Sequence, residues 1–146
     1  MALKIILQNQ KYREVFSSLG LEWQVSKKDF DTIQECTCQL YYRKAKVVEV
    51  YELKYWMFIC RKSDVQSGQL LPCEDTLRQH TIRTDYQAAI WKRSLENHPS
   101  IPDPADGYGW IKSDDGNLNV KWMTISTAPE AVLCLMSYKC KKTKVL

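Results

Sequence analysis

Cysteines are the residues in this sequence whose type most readily supports chemistry, because a thiolate binds zinc or acts as a nucleophile. Cys36 and Cys38 are two residues apart in a stretch with helical spacing, and such residues point about 200° away from each other around a helix. One ion therefore cannot contact both thiolates. Cys134 and Cys140, six residues apart on a predicted helix, also lie on different faces. We interpret the cysteines as free structural thiols and predict no metal site.

Nucleophilic catalysis requires an acid or base beside the nucleophile, and the sequence does not supply one. Cys73 lies at a predicted helix start, where the helix dipole favours negative charge, but no histidine is near it in the sequence. His80 and His98 are the only histidines, and neither belongs to a recognisable Ser or Cys triad. No Gly-rich phosphate loop is present. We predict surface or capping positions for both histidines, no enzymatic activity and no cofactor.

Four aspartates in the C-terminal half suggest a cation site at first sight: Asp103, Asp106, Asp114 and Asp115. Proline and glycine separate them, and their order does not match a calcium-binding loop. The Asp115-Gly116 pair instead predicts the tight turn of a β-hairpin, because Leu118, Val120 and Trp122 alternate with polar residues after it. Asp114 and Asp115 are therefore assigned to this turn, and the four aspartates predict no cation site.

Clustered cations are the predicted binding residues. The net charge is +4, and the last sixteen residues contain four lysines and no acidic residue. A basic turn and this basic tail are suited to nucleic-acid phosphates, although a solvated chain end is the alternative for the tail. The predicted nucleic-acid-binding residues are Arg43, Lys44, Lys46, Lys139, Lys141 and Lys142. Aromatic residues of the hairpin are a second possibility for base stacking, with hairpin packing as the alternative: Tyr108, Trp110 and Trp122.

The bulk composition favours a globular protein of one domain. The chain has 146 residues, of which 45% are hydrophobic and 26% charged, so it can bury a core. No apolar run approaches the roughly 20 residues that span a bilayer, and the N-terminus lacks the features of a secretory signal. These patterns predict an intracellular protein, nuclear or cytoplasmic, without a membrane partner.

The elements that would position these residues are mostly helical. The longest helical pattern covers residues 72–97, with Pro72 in the first turn, Pro99 after the end, and an apolar face that includes Trp91 and Leu95. Asn9 and Ser26 are predicted N-caps of earlier helices. The next pattern, from Val50 to Cys60, favours a helix, with a strand as the alternative.

The resulting fold prediction is a mainly α multi-helix bundle around this long central helix, with a small β-hairpin near the C-terminus. Within one domain of residues 1–146, it places the helical bundle at 1–98 and a Pro/Gly loop with the hairpin at 99–127. Residues 128–146 form a C-terminal helix and the basic tail.

The sequence also resembles a large, mostly uncharacterised family of multicopy metazoan proteins derived from mobile elements. The resemblance covers nearly the whole chain. It rests on residues 70–95 together with Phe16-Ser17-Ser18-Leu19-Gly20, Trp23-Gln24-Val25-Ser26, Phe58-Ile59-Cys60, Ile101-Pro102, Gly107-Tyr108-Gly109-Trp110, Asp115-Gly116, Trp122-Met123 and Ala128-Pro129-Glu130-Ala131-Val132-Leu133.

Longer members of that family carry an upstream domain that resembles PIN-like, flap-endonuclease-like nucleases, and a downstream Cys-rich tail that opens with Cys-Lys-Cys. The acidic nuclease motifs have no counterpart here, and the tail position reads Tyr138-Lys139-Cys140. The resemblance therefore implies a non-catalytic C-terminal region or fragment, with nucleic acid or an upstream nuclease-like domain as partner. A protein–protein interaction module and a non-functional truncated copy are the alternatives.

Overall fold

A computed structural model describes residues 2–60 and 71–125 of the chain. These residues form five α-helices and one antiparallel β-hairpin, which confirms the predicted mainly helical fold with a small hairpin. The elements are α1 (Ala2–Gln8), α2 (Gln10–Ser18), α3 (Lys27–Tyr41), α4 (Val50–Cys60), α5 (Glu74–Lys92), β1 (Trp110–Lys112) and β2 (Leu118–Val120). The predicted helix after Ala128 lies outside the described residues.

The helix starts are set by local side-chain hydrogen bonds. The Asn9 side chain accepts from the Lys11 N–H at 3.0 Å, and Ser26 Oγ accepts from the Asp29 N–H at 3.1 Å. Both predicted N-caps are therefore confirmed, since each satisfies a donor that the first helical turn leaves unpaired. The Ser26 hydroxyl in turn donates to Asp29 Oδ2 at 2.7 Å. The stretch that begins at Val50 is a helix, and the alternative strand assignment is wrong.

The central helix α5 is shorter than the sequence pattern indicates. It begins at Glu74 behind the Cys73 cap and ends at Lys92, so Pro72 and Pro99 both lie outside it. The Arg93 side chain donates to the carbonyl oxygens of Gly20 at 3.0 Å and Leu21 at 2.9 Å. These bonds hold Arg93 against the chain between α2 and α3, and the helix ends there.

The buried face of α5 is more polar than predicted. Trp91 is 69% exposed and Leu95, beyond the helix end, is 98% exposed, so their assignment to the apolar face is wrong. The solvent-facing stripe instead runs from His80 to Trp91. The opposite side contacts both the N-terminal helices and the hairpin, which is why polar residues are buried on it. The buried residues of α5 are Leu77, Gln79, Thr81, Arg83, Asp85, Tyr86 and Ala89.

Two hydrophobic clusters form the core among the described residues. The smaller one joins α2 to α3 through Val15, Leu19 and Ile33. The larger one joins α3, α4 and α5, with Ala45 and Val47 of the α3–α4 loop packed against it. Its buried members are Phe30, Cys38, Val50, Leu53, Met57, Leu71 and Leu77. Because α4 and its preceding loop pack on this cluster, the exposed residues of both segments are held in fixed positions relative to the core.

Asp85 and Gly20 connect α5 to the turn after α2. The Gly20 N–H donates to Asp85 Oδ1 at 2.7 Å, and Asp85 is buried. Burial raises the pKa of this carboxyl above its ordinary value of 3.8, against the lowering effects of the Gly20 N–H, Lys92 and Arg93. Ionisation of Asp85 therefore costs more free energy in the folded protein than in the unfolded chain.

The raised pKa predicts a specific pH dependence of stability. Above pH 3.8 and below the raised pKa, the folded state holds more protons than the unfolded state. The contribution of Asp85 is therefore fully present at low pH and is lost as pH rises through the folded pKa. Asp85→Asn keeps an oxygen acceptor but does not titrate, so its stability relative to wild type should rise with pH. Urea unfolding of both proteins between about pH 4 and pH 7 measures this difference. Parallel pH profiles would contradict the prediction.

The hairpin is held on α5 by two side chains. Arg83 Nη1 donates to the carbonyl oxygens of Gly109 at 3.2 Å and Lys121 at 2.7 Å. Gly109 immediately precedes β1, and Lys121 immediately follows β2. The Asp75 carboxylate accepts from the Thr124 N–H at 2.6 Å and the Ile125 N–H at 3.0 Å. The two strands pair in antiparallel register and the turn between them includes Gly116, as predicted.

No helix within residues 2–60 and 71–125 combines the length and apolar character needed to cross a bilayer.

Candidate nucleic-acid interface

The predicted basic turn lies between α3 and α4. It starts at Tyr42, whose N–H donates to the Cys38 carbonyl at 2.8 Å and whose carbonyl accepts from the Ala45 N–H at 2.8 Å. Arg43 and Lys44, the two residues inside this turn, are exposed. The structure therefore presents both cations at the surface, directly beyond the last turn of α3.

Beyond the turn, the loop is extended and its side chains alternate between core and solvent. Ala45 and Val47 pack against the larger core cluster, while Lys46 and Val48 are exposed. Alternation is expected because successive side chains of an extended backbone point in opposite directions. Packing of the two apolar residues thus holds Lys46 on the same outward side as the turn.

A cleft adjoins these cations, and we call it the basic cleft. It has a volume of about 250 Å³ and lies between the loop and the first turns of α4. Tyr42 and Trp56 contact each other at its side, with ring centroids 5.4 Å apart and planes inclined by 42°. The residues that line it are Tyr42, Lys44, Ala45, Lys46, Val47, Leu53 and Trp56. Two of the predicted phosphate-binding lysines therefore share one cleft with two aromatic rings.

Among the described residues, the charged side chains that line the basic cleft are both lysines, and no Asp or Glu lines it. Glu49 precedes α4 and Glu52 lies in its first turn, close to the cleft in sequence. The ion pairs among the described residues are Lys11–Glu35, Arg78–Glu74 and Lys112–Asp103, and none includes a cation of the basic turn. Arg43, Lys44 and Lys46 are thus not neutralised by any acid within residues 2–60 and 71–125.

The tail lysines belong to the same prediction. Lys139, Lys141 and Lys142 lie outside the described residues, so the structure does not locate them relative to the basic cleft. Their contribution stays a prediction.

Tyr42 and Trp56 are site residues that the sequence interpretation missed. The spacing of Val50, Leu53 and Met57 placed Trp56 on the apolar face of α4, whereas 47% of Trp56 is exposed. The sequence feature that could have indicated an aromatic residue at this site is the pair Tyr41-Tyr42, directly before Arg43. Pairing Tyr42 with a ring fourteen residues away required the tertiary fold.

The hairpin aromatics are arranged differently from a base-stacking surface. Tyr108 is half-buried in a cluster with Tyr86 at 4.9 Å and Trp23 at 6.2 Å between ring centroids. Trp110 is also half-buried, and its indole N–H has no partner among the described residues. Trp122 is exposed, with the Arg83 guanidinium 5.6 Å from its ring centroid. The structure does not bring these rings together as one exposed surface.

Cys36, Cys38 and Cys73 are placed as structural residues, whereas Cys60, which the helical spacing of α4 places on its apolar face, is exposed, so that assignment is wrong. Cys36 and Cys38 are both buried, and burial raises the pKa of Cys36 above its ordinary range and that of Cys38 to about 11. Both thiols are therefore neutral at pH 7 and poor nucleophiles. The Cys73 sulfur accepts from the Thr76 N–H at 3.4 Å as the cap of α5. Cys134 and Cys140 lie outside the described residues.

Histidines and aspartates do not converge on a site within the described residues. His80 and His98 are both exposed. The Asp103 side chain accepts from the Ala105 N–H at 2.9 Å and pairs with Lys112, as a turn aspartate does. Among residues 2–60 and 71–125, no group of three or more His, Cys, Asp and Glu side chains is placed to hold a metal ion.

Comparison with known proteins adds no assignment. No family model matches the sequence, and no curated protein and no solved structure is significantly similar to it.

Proposed function

We propose that this chain is a non-catalytic helical region that binds nucleic acid through the cations of the basic cleft. The observation that supports the proposal is the presence of Lys44 and Lys46 in one cleft with exposed aromatic rings, with Arg43 beside it. Lysine and arginine attract the phosphate backbone, and aromatic rings stack on bases. The resemblance to mobile-element-derived, nuclease-like proteins supports the same substrate class. In that setting the chain completes or extends an upstream nuclease-like domain.

Charge and packing explain why this loop suits phosphates. Its three cations lie within four residues, and Lys46 lies between Ala45 and Val47, which pack against the core. A loop that is preordered by such packing loses less conformational entropy on binding than a disordered loop does. The packing of Ala45 and Val47 is therefore expected to favour phosphate binding by the basic turn.

The salt dependence of binding tests the proposal. Each phosphate contact on a single strand adds about −0.7 to the slope of log K against log salt concentration. The triple variant Arg43→Ala, Lys44→Ala, Lys46→Ala should flatten the slope by about 2 and weaken binding about tenfold at low salt. Fluorescence anisotropy with a labelled mixed-sequence oligonucleotide measures both quantities. A second triple variant, Lys139→Ala, Lys141→Ala, Lys142→Ala, measures the share of the tail.

The matched control removes a cation away from the cleft. Lys28 is exposed in the first turn of α3, at the end of that helix opposite Tyr42. Fourteen residues of helix separate the two positions by roughly 20 Å. Lys28→Ala should leave the slope nearly unchanged. Absence of measurable binding by the wild-type chain at low salt would overturn the proposal.

A protein-interaction module is the second candidate function, and α4 supplies the observation for it. Tyr51, Tyr55 and Ile59 recur every four residues on α4 and are 55%, 68% and 60% exposed. An exposed apolar stripe of this kind marks interaction surfaces in many proteins. If it mediates self-association, light scattering of the purified chain will show a concentration-dependent mass. Tyr55→Ser should then restore the monomer, whereas a strictly monomeric wild-type chain would count against self-association.

A further inference from the structure

The basic cleft has the size and lining of a site for one small planar group. Its volume of about 250 Å³ is below the roughly 300–1,000 Å³ of pockets for drug-sized ligands. Leu53, which is 2% exposed, contributes to its lining from the core side. Tyr42 and Trp56 are 39% and 47% exposed, so part of each aromatic residue remains accessible. A flat aromatic ligand fits these surfaces better than a bulky or highly polar one.

The same cleft has charges suited to the groups on either side of such a ligand. Lys44 and Lys46 line it, and no acidic side chain within residues 2–60 and 71–125 does. Phosphates follow and precede each base along a nucleic-acid strand, so a base stacked against the exposed side of these rings brings phosphates toward these two lysines. Both the apolar lining and the charge are thus complementary to one nucleotide within a chain.

Stacking in this cleft is incompatible with a base that remains inside a duplex. The faces of a paired base are covered by its neighbours in the stack, and a protein in either groove contacts only base edges. The rings of Tyr42 and Trp56 contact each other and line the cleft together with Lys44, Ala45, Lys46 and Val47 of the loop. A base must therefore leave the stack to enter.

We propose that the basic cleft binds one unpaired base of single-stranded nucleic acid, stacked on Trp56 and Tyr42, with flanking phosphates on Lys44 and Lys46. This inference rests on the proposed nucleic-acid binding and makes it specific for single strands. A preference for single strands distinguishes stacking from simple charge attraction. A duplex has the higher charge density, so it would bind more tightly than a single strand if charge alone determined affinity.

The test compares labelled single-stranded DNA, single-stranded RNA and a blunt DNA duplex of the same sequence with the full chain at one low salt concentration. We expect at least about tenfold tighter binding to a single strand than to the duplex. Trp56→Leu should weaken single-strand binding about tenfold, since stacking on one aromatic ring contributes that much or more, and should leave duplex binding unchanged. Trp56→Tyr should retain most of the affinity because it keeps an aromatic face.

The control variant is Trp91→Leu, which removes an exposed tryptophan from α5, outside the cleft. It should bind every probe as the wild type does. Circular dichroism melting of each variant confirms that it is folded. Quenching of tryptophan fluorescence by the single strand should disappear in Trp56→Leu and persist in Trp91→Leu, which reports stacking independently of affinity.

The outcomes separate this inference from the proposed function. Equal affinity for single strand and duplex, with no effect of Trp56→Leu, overturns the stacking site and leaves charge-driven binding intact. Absence of binding to all three probes overturns both. A preference for either RNA or DNA among the single strands supports the inference and identifies which sugar the surroundings of the cleft accept.

Discussion

Replacing Gly20 by alanine is expected to lower the free energy of unfolding by about 3 kcal/mol, from two additive causes. Gly20 has φ +79°, a left-handed conformation that costs a residue with a Cβ atom about 1–2 kcal/mol. An added Cβ would also lie 2.5 Å from the backbone carbon of Ala88 and 2.5 Å from the backbone nitrogen of Ala89. The backbone of α5 cannot yield to this contact without losing its helical bonds.

The consequence is a loss of the attachment between α2 and α5. To relieve the clash, Gly20 must move away from α5, and its N–H then leaves the buried carboxylate of Asp85. A buried charge without its donor is costly. Urea unfolding monitored by circular dichroism measures the effect. Adding Ala88→Gly to Gly20→Ala removes the neighbouring side-chain methyl group. This double variant should not recover stability, because the closest contacts of the new Cβ are to backbone atoms.

Gly116→Ala is the matched control for this prediction. Gly116 has φ +76°, close to that of Gly20, but nothing lies within 4 Å of a Cβ built there. Its substitution should therefore cost only the conformational part, about 1 kcal/mol. Equal losses for the two variants would show that the close approach of Gly20 to α5 does not contribute.

Arg83→Met is expected to lower the free energy of unfolding by about 2–3 kcal/mol, chiefly by releasing the hairpin. Arg83 is 9% exposed, and burial lowers the pKa of its guanidinium, which is nevertheless retained as a cation by its acceptors. Its Nη1 atom binds the Gly109 and Lys121 carbonyls on the two sides of the hairpin. Methionine fills similar space but leaves both carbonyl oxygens without this donor.

The effect should be localised as well as large. Hydrogen exchange measured by mass spectrometry should accelerate in residues 109–122, while α2 and α3 keep their protection, because their core cluster does not include Arg83. Arg13→Met is the control, since Arg13 is exposed on α2 and surface substitutions usually change stability by less than about 0.5 kcal/mol. Uniform acceleration across all helices in Arg83→Met would contradict a local role.

Local features of this protein followed from the sequence by itself. The caps at Asn9 and Ser26, the hairpin turn at Gly116 and the helix over Val50–Cys60 depend on residues within a few positions of one another. Helical periodicity and turn chemistry act at that range, so the mainly helical class with one hairpin could be predicted. The exposed basic turn was equally local, because three cations within four residues cannot all be buried.

Only the tertiary structure decided how α5 is used and what surrounds the basic turn. The apolar periodicity of α5 predicts that Trp91 lies against the core. Trp91 is instead exposed, and the polar residues Arg83 and Asp85 are buried on this helix. Their partners are backbone groups of the hairpin and of Gly20, which no spacing within α5 reveals. The pairing of Tyr42 with Trp56 likewise depends on how α4 packs against α3. Burial of a polar group is stable only where a distant segment satisfies it, and that condition is set by packing, not by periodicity.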